Sequence, residues 1–247
     1  MSKKIFVCGI GPGSLGKMTV EVRRVLEECQ VICGYKLYTD LIKDFFPNKE
    51  IINSPMTKEA DRCRLAFESA SRGKDVAFIC SGDSGVYGLA GLILEMQKDF
   101  KDVEVELLPG VSAALSGAAL LGSPLTNDFC CISLSDRLTP WPLIEKRLSA
   151  AVAGDFALVL YNPASKGRPD TLHKACSLLL TLLPEDRPCG YASNIDRVGQ
   201  KVGILTLKEL AVFEADMATT VFIGNSQTRV VGKNLVTRRG YSIEEVL

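Results

Sequence analysis

Five consecutive apolar residues, Val76-Ala77-Phe78-Ile79-Cys80, run without a break into Ser81-Gly82-Asp83-Ser84-Gly85-Val86-Tyr87-Gly88. A run this short, apolar on both alternating faces, fits a strand covered on both sides, as in a parallel sheet. The turn after it lies at the carboxyl end of that strand, where open α/β sheets bind ligands, and its glycines allow close backbone approach. Asp83 is the one charged residue of the turn. It has two readings at this point: a ligand contact, or a cap on the next helix, since aspartate is a favoured N-cap.

The same strand-turn-helix unit recurs on either side. Residues 4–9 read as a first strand, and Thr19 caps a helix with Val22, Val25, Leu26 and Cys29 on one face. Strands at 31–33, 51–52, 76–80 and 103–107 alternate with helices at 34–46, from Lys58, and at 88–96. The helix from Lys58 places Ala60, Cys63, Ala66, Phe67 and Ala70 on one face. Residues 103–107 alternate apolar and acidic, which suits a sheet edge. This is an α/β domain over residues 1–121 with a mostly parallel sheet. After Gly122-Ser123-Pro124 the pattern restarts, with strands at 129–133, 156–160, 188–192, 201–206 and 219–224 and helices at 141–151 and 169–180. Fewer helices separate these strands, so the second α/β domain, 122–247, is expected to hold a mixed sheet. A cofactor cleft between the two domains is the default ligand site.

Composition closes off several classes. Apolar residues make up 47% and charged residues 23%, as in a globular chain. Lys plus Arg balance Asp plus Glu at 29 each, which argues against nucleic acid or a membrane surface as partner. The opening Met1-Ser2-Lys3-Lys4 leads into a strand with no apolar signal region, so secretion is not expected. Residues 107–127 carry no charge and are long enough to span a membrane, but Pro109-Gly110 and Gly122-Ser123-Pro124 break the run. Nine cysteines without a C-x-x-C pair indicate a reduced, cytoplasmic chain with no metal centre. The one histidine, His173, leaves little on which to build a triad or a zinc site.

Gly9-Ile10-Gly11-Pro12-Gly13-Ser14-Leu15-Gly16-Lys17 imitates two phosphate-binding motifs and satisfies neither. Against the dinucleotide fingerprint, Ser14 replaces the third glycine and Pro12 removes a backbone N–H. Against the P-loop, Met18 stands where Ser or Thr would hold magnesium.

Taken together, Gly9-Ile10-Gly11-Pro12-Gly13, Ser81-Gly82-Asp83 and Pro109-Gly110-Val111-Ser112-Ala113, in this order and spacing, resemble the tetrapyrrole methylase family. Gly34-Tyr35-Lys36, residues 133–141, Tyr161-Asn162-Pro163, Gly224-Asn225-Ser226 and Thr237-Arg238-Arg239-Gly240-Tyr241 are similar to the branch that methylates ring carbon C17 and contracts the macrocycle on the way to cobalamin. The resemblance spans essentially the whole chain. It implies two domains, S-adenosylmethionine as cofactor, a precorrin or cobalt-precorrin substrate, and a homodimer.

By motif it implies cofactor contacts at Pro12, Ser81, Gly82, Asp83, Val86, Tyr87, Ser112, Ala113, Tyr161, Asn162, Ala192, Thr219 and Thr220. Proton handling during ring contraction would fall to Tyr35, Lys36, Ser135, Asp136 or Asn127. The last stands where relatives often carry histidine. Substrate carboxylates would meet Gly11, Lys58, Arg62, Lys166 and, first among them, Arg168. On this reading Asp83→Ala weakens cofactor binding far more than it lowers folding stability. The alternatives are a sibling methylase acting on another ring carbon, a nucleotide-dependent enzyme built on residues 11–17, and a non-catalytic corrinoid carrier.

Overall fold

The computed structural model describes residues 3–55 and 57–241; Met1 and Ser2 of the opening stretch lie outside them. The chain divides into two compact units, Met1–Ala113 and Ala114–Leu247. The division falls at the start of helix Ala113–Leu121, not after it at residue 121. The physical reason is that Gly117 of this helix lies directly against Phe222 and Ala192, so the helix packs with the later strands.

Unit 1 runs β1 (Lys4–Gly9), α1 (Val20–Glu28), β2 (Val31–Tyr35), α2 (Lys36–Ile42), β3 (Glu50–Ser54), α3 (Glu59–Ser71), β4 (Val76–Cys80), α4 (Ala90–Gln97) and β5 (Glu104–Leu108). Its sheet has the order β3-β2-β4-β1-β5 and every pairing is parallel. All five residues of β4 are buried, with Val76, Phe78 and Cys80 in one apolar layer and Ala77 and Ile79 in the other. Each large side chain buried this way contributes roughly 1.5–3 kcal/mol. The α3 face differs from the periodic reading: Ala60 is exposed, while Arg62 and Ser69 are buried beside Cys63, Ala66, Phe67 and Ala70. Strand β5 is an edge, where both acidic residues of the alternation pair with Lys4 of β1, 3.1 Å from Glu104 and 2.6 Å from Glu106.

Unit 2 begins with α5 (Ala113–Leu121), whose first residue closes unit 1. It continues with β6 (Gly122–Ser123), β7 (Phe129–Ser133), α6 (Trp141–Ala153), β8 (Ala157–Tyr161), α7 (Thr171–Leu179), β9 (Pro188–Ser193), β10 (Lys201–Thr206), α8 (Leu207–Leu210), β11 (Thr219–Ile223), β12 (Thr228–Val231) and β13 (Asn234–Thr237). The main sheet, β10-β9-β11-β8-β7, is mixed: β7 and β8 are parallel, the other pairs antiparallel. A small sheet, β12-β13-β6, is stitched by Thr228 and Thr237 hydroxyls 2.8 Å apart and by Thr237 donating to the Pro124 carbonyl at 2.6 Å. Strands of two and four residues leave too short a pattern to read from sequence.

Among the described residues no helix is long and apolar enough to cross a membrane, and no group of three His, Cys, Asp or Glu side chains could hold a metal ion. All nine cysteines are free thiols.

Candidate functional site

The sheet of unit 1 aligns three strand ends. Its register pairs Gly9 of β1 with Cys80 of β4 and Cys8 with Leu108 of β5, so the loops that follow leave the sheet side by side. Ile10 N–H donates to the Cys80 carbonyl at 2.9 Å. Gly11 and Gly82 then exchange both backbone hydrogen bonds, at 3.1 and 2.7 Å, with φ of 74° and 68° that only glycine adopts freely. Behind them Gly9 and Gly110 touch backbone to backbone: a Cβ on Gly9 would lie 2.6 Å from the Gly110 nitrogen.

Asp83 locks this arrangement. Its Oδ1 accepts the N–H groups of Gly85 at 2.8 Å and Val86 at 3.2 Å, and its Oδ2 accepts the N–H of Gly110 at 2.9 Å. One carboxylate therefore fixes its own turn and ties it to the loop after β5. The helix-cap reading of Asp83 does not hold. Helix α4 starts at Ala90 with Leu89 in the N-cap position and no side-chain cap, so Asp83 caps a turn and not that helix. Both of its oxygens also serve folding, so Asp83→Ala cannot be expected to spare stability.

The loop after β1 has little to offer a phosphate. Pro12 is buried and lacks an N–H, and the N–H of Gly11 is spent on Gly82. The next helical element is a three-residue turn, Leu15–Lys17, and α1 begins only at Val20. No helix N-terminus opens directly from the loop, as phosphate sites require. What the three loops present is mostly uncharged: Val86 and Tyr87 are exposed, Tyr87 at a φ of 55° unusual for a bulky residue. Ser81, Asp83 and Ala113 are half-buried, and Gly82 and Ser112 are buried. An uncharged nucleoside suits this surface better than a pyrophosphate does. Gly11, expected to touch substrate, has both backbone groups committed to Gly82 and little accessible surface.

Elsewhere in unit 1, Tyr35 ends β2 and meets Tyr38 edge-on with ring centres 5.2 Å apart. Both rings line a cavity of about 160 Å³ together with Glu59, Arg62, Ser81 and Tyr87. Lys36 is turned away into an ion pair with Asp40 at 2.7 Å, and Lys58 pairs with Asp61 at 3.3 Å. Burial pushes the thiols beside this cavity up, Cys80 to about 11 and Cys63 to about 12, so both stay neutral at physiological pH.

In unit 2 the end of β8 is the centre of a second group. The Tyr161 hydroxyl accepts the Ala114 N–H at 2.9 Å, anchoring the start of α5. Asn162, at a φ of 54°, donates to the Ser133 hydroxyl at 2.9 Å. Two candidates of opposite role meet here. Arg168 donates to Asp136 at 2.7 Å and to Ser135 at 3.1 Å, so the expected carboxylate clamp already holds a carboxylate. That hydrogen bond keeps the Asp136 carboxyl below its usual range, and Asp136 is therefore charged at neutral pH and unsuited to donating a proton. Lys166 is exposed in the turn between Ser165 and Arg168.

Three further candidates lie on β9 and β11, where β11 pairs with β8 and Thr220 sits opposite Ala192. Ala192 has no exposed surface. The Thr219 hydroxyl is engaged by Ser193 at 2.7 Å and Asp216 at 2.7 Å, and Thr220 is buried beside it. Asn127 is exposed and accepts only from the Asp128 N–H. His173 lies 3.3 Å from the Phe213 carbonyl on helix α7. The residue whose setting sequence reasoning missed is Arg62, expected to meet substrate carboxylates and buried at 3% exposure. Its spacing from Ala66 and Ser69 on α3 is the signal that places it on the inner face.

Comparison with known proteins follows the same lines. Residues 4–211 match the family described as Tetrapyrrole (Corrin/Porphyrin) Methylases. The chain is 44% identical to the probable cobalt-factor III C(17)-methyltransferase of Salmonella typhimurium, covering 96% of this chain and 99% of that protein. It is 37% identical to the precorrin-3B C(17)-methyltransferase of Sinorhizobium sp, covering 95% and 93% respectively. The crystal structure of the methyltransferase CobJ superposes with a TM-score of 0.85 at 35% identity, over 95% of this chain and 99% of that one. This chain belongs to the tetrapyrrole methylase family.

Proposed function

We propose that this protein transfers a methyl group from S-adenosylmethionine to C17 of a tetrapyrrole, with contraction of the ring, in cobalamin biosynthesis. Cobalt-factor III is the preferred ring substrate over precorrin-3B, because identity is 44% to a relative named for the first and 37% to one named for the second. The observation that carries the reading is that this 44% identity extends over 96% of the chain. The bridged, uncharged loop cluster supports it: the missing N–H at Pro12 would be a defect in a phosphate site and is none in a nucleoside site.

The cofactor supplies a sulfonium methyl that an electron-rich carbon displaces in line. Such a displacement depends on alignment and exclusion of water more than on a strong base. Pro12, Ser81, Gly82, Asp83, Val86, Tyr87, Ser112 and Ala113 are the proposed cofactor contacts in unit 1. Tyr161, Asn162, Thr219 and Thr220 are those in unit 2. Asp83 acts by holding two of the loops in place. Tyr35 and Ser135 are the proposed proton carriers for ring contraction. Lys36 and Asp136, each held in an ion pair, are less suited to it. The nine free thiols and balanced charge support a reducing cytoplasmic setting without nucleic acid.

Calorimetric titration tests the cofactor half: S-adenosylhomocysteine should bind and ATP and NAD should not. Absence of any S-adenosylhomocysteine binding would remove the proposal. A homodimer is proposed from the resemblance, and light scattering at assay concentration that returns a monomer mass would remove that part.

A further inference from the structure

Arg62 is a buried cation without a counter-charge. It is 3% exposed, and it has no ion pair among the described residues. Its Nη1 donates to the Ser54 hydroxyl at 2.7 Å and more weakly to the carbonyls of Pro55 at 3.3 Å and Ser54 at 3.5 Å, all neutral acceptors. Its Nε is buried with no hydrogen-bond partner. The nearby thiols of Cys33, Cys63 and Cys80 do not compensate it, because burial keeps all three protonated.

A guanidinium cannot shed its proton to relieve this. Leaving a buried charge unpaired costs several kcal/mol, so such groups are retained where a ligand or partner completes them. Arg62 also lines the cavity of about 160 Å³ bounded by Tyr35, Tyr38, Glu59, Ser81 and Tyr87. The one carboxylate on that wall, Glu59, accepts the Thr57 N–H at 3.1 Å instead of meeting Arg62. Tyr35 and Tyr38 line the cavity together with Ser81 and Tyr87 of the turn after β4.

We propose that this cavity is a carboxylate-binding subsite, in which the Arg62 guanidinium receives a carboxylate group of a ligand. The chemistry is that of a guanidinium with a carboxylate, which is short, directional and roughly twice as strong as a neutral hydrogen bond. The identity of the donor rests on the methyltransferase reading, which offers two: the aminoacyl carboxylate of the cofactor, or a carboxylate on the rim of the tetrapyrrole. Either source would make Arg62 a specificity residue for acidic ligands.

The test has one arm independent of that reading. Nitrogen-15 NMR of the exchange-protected Arg62 Nε–H, identified by its loss in Arg62→Lys, is followed while sodium propionate is added, with propionamide as control. The subsite predicts a saturable shift with propionate and none with propionamide. A resonance that propionate leaves unmoved overturns the subsite, as it would if water or a turned Glu59 satisfied the guanidinium.

The second arm compares wild type with Arg62→Gln by calorimetry. A cofactor carboxylate predicts about tenfold or greater loss of S-adenosylhomocysteine affinity with 5′-methylthioadenosine, which lacks the carboxylate, unaffected. A substrate carboxylate predicts both nucleosides unaffected and a comparable loss for uroporphyrin. Unchanged affinity for all three overturns the proposal while leaving the methyltransferase reading intact. Should Arg62→Gln not fold, the propionate titration of wild type decides alone.

Discussion

At the scale of single residues, Asp83 shows how one side chain serves folding and site together. Three backbone N–H groups from two loops converge on its carboxylate. Asp83→Ala leaves those donors without their acceptor; the Gly85 and Val86 N–H groups are exposed and can turn to water, so the cost should be about 1–3 kcal/mol, set by the part-buried Gly110 N–H. Because the same bonds hold the loops in register, S-adenosylhomocysteine affinity should fall with it. Thermal melting and calorimetry on the same variant check this, and a variant that melts normally yet binds weakly would contradict it. The sequence marks Asp83 as special through its place at a strand end. It cannot show that the second partner is Gly110, because that contact spans 27 residues and depends on β4 and β5 flanking β1. Arg62 was legible as a cation and not as a buried one: helix periodicity puts it beside Ala66, but an arginine is expected outside unless paired.

At the scale of elements, the site exists because three parallel strands end at one level. Residues 4–9, 76–80 and 201–206 match β1, β4 and β10 to the residue; for β4 the reason is plain, since a continuous apolar run bounded by turns leaves no other period to read. The strand order β3-β2-β4-β1-β5 is not in the local pattern. It follows from how α1 and α3 cover opposite faces of the sheet. The packing of Gly9 against Gly110 is equally invisible, since each glycine alone reads as a turn residue. It yields a direct test. A Cβ at Gly110 would collide with the carbonyls of Gly82 and Gly9, so Gly110→Ala must push two loops apart. The variant should lose about 1–3 kcal/mol by denaturant unfolding and bind S-adenosylhomocysteine weakly. A Gly110→Ala protein of unchanged stability would show that the contact is slack.

At the scale of the whole molecule, the chain reads as two α/β units, each organised around its own sheet, with chemistry concentrated in loops at strand ends. Its single histidine and its buried, neutral thiols favour positioning over acid–base chemistry by these groups. Methyl transfer with ring contraction fits such a chain, and near-full-length similarity to C(17)-methyltransferases points the same way. The most direct measurement is carbon-13 NMR of the product formed from cobalt-factor III and S-adenosylmethionine labelled in its methyl group. One new labelled methyl on C17 of a contracted ring is the predicted result. A label on another ring carbon, or no transfer from a cofactor that demonstrably binds, would contradict the account.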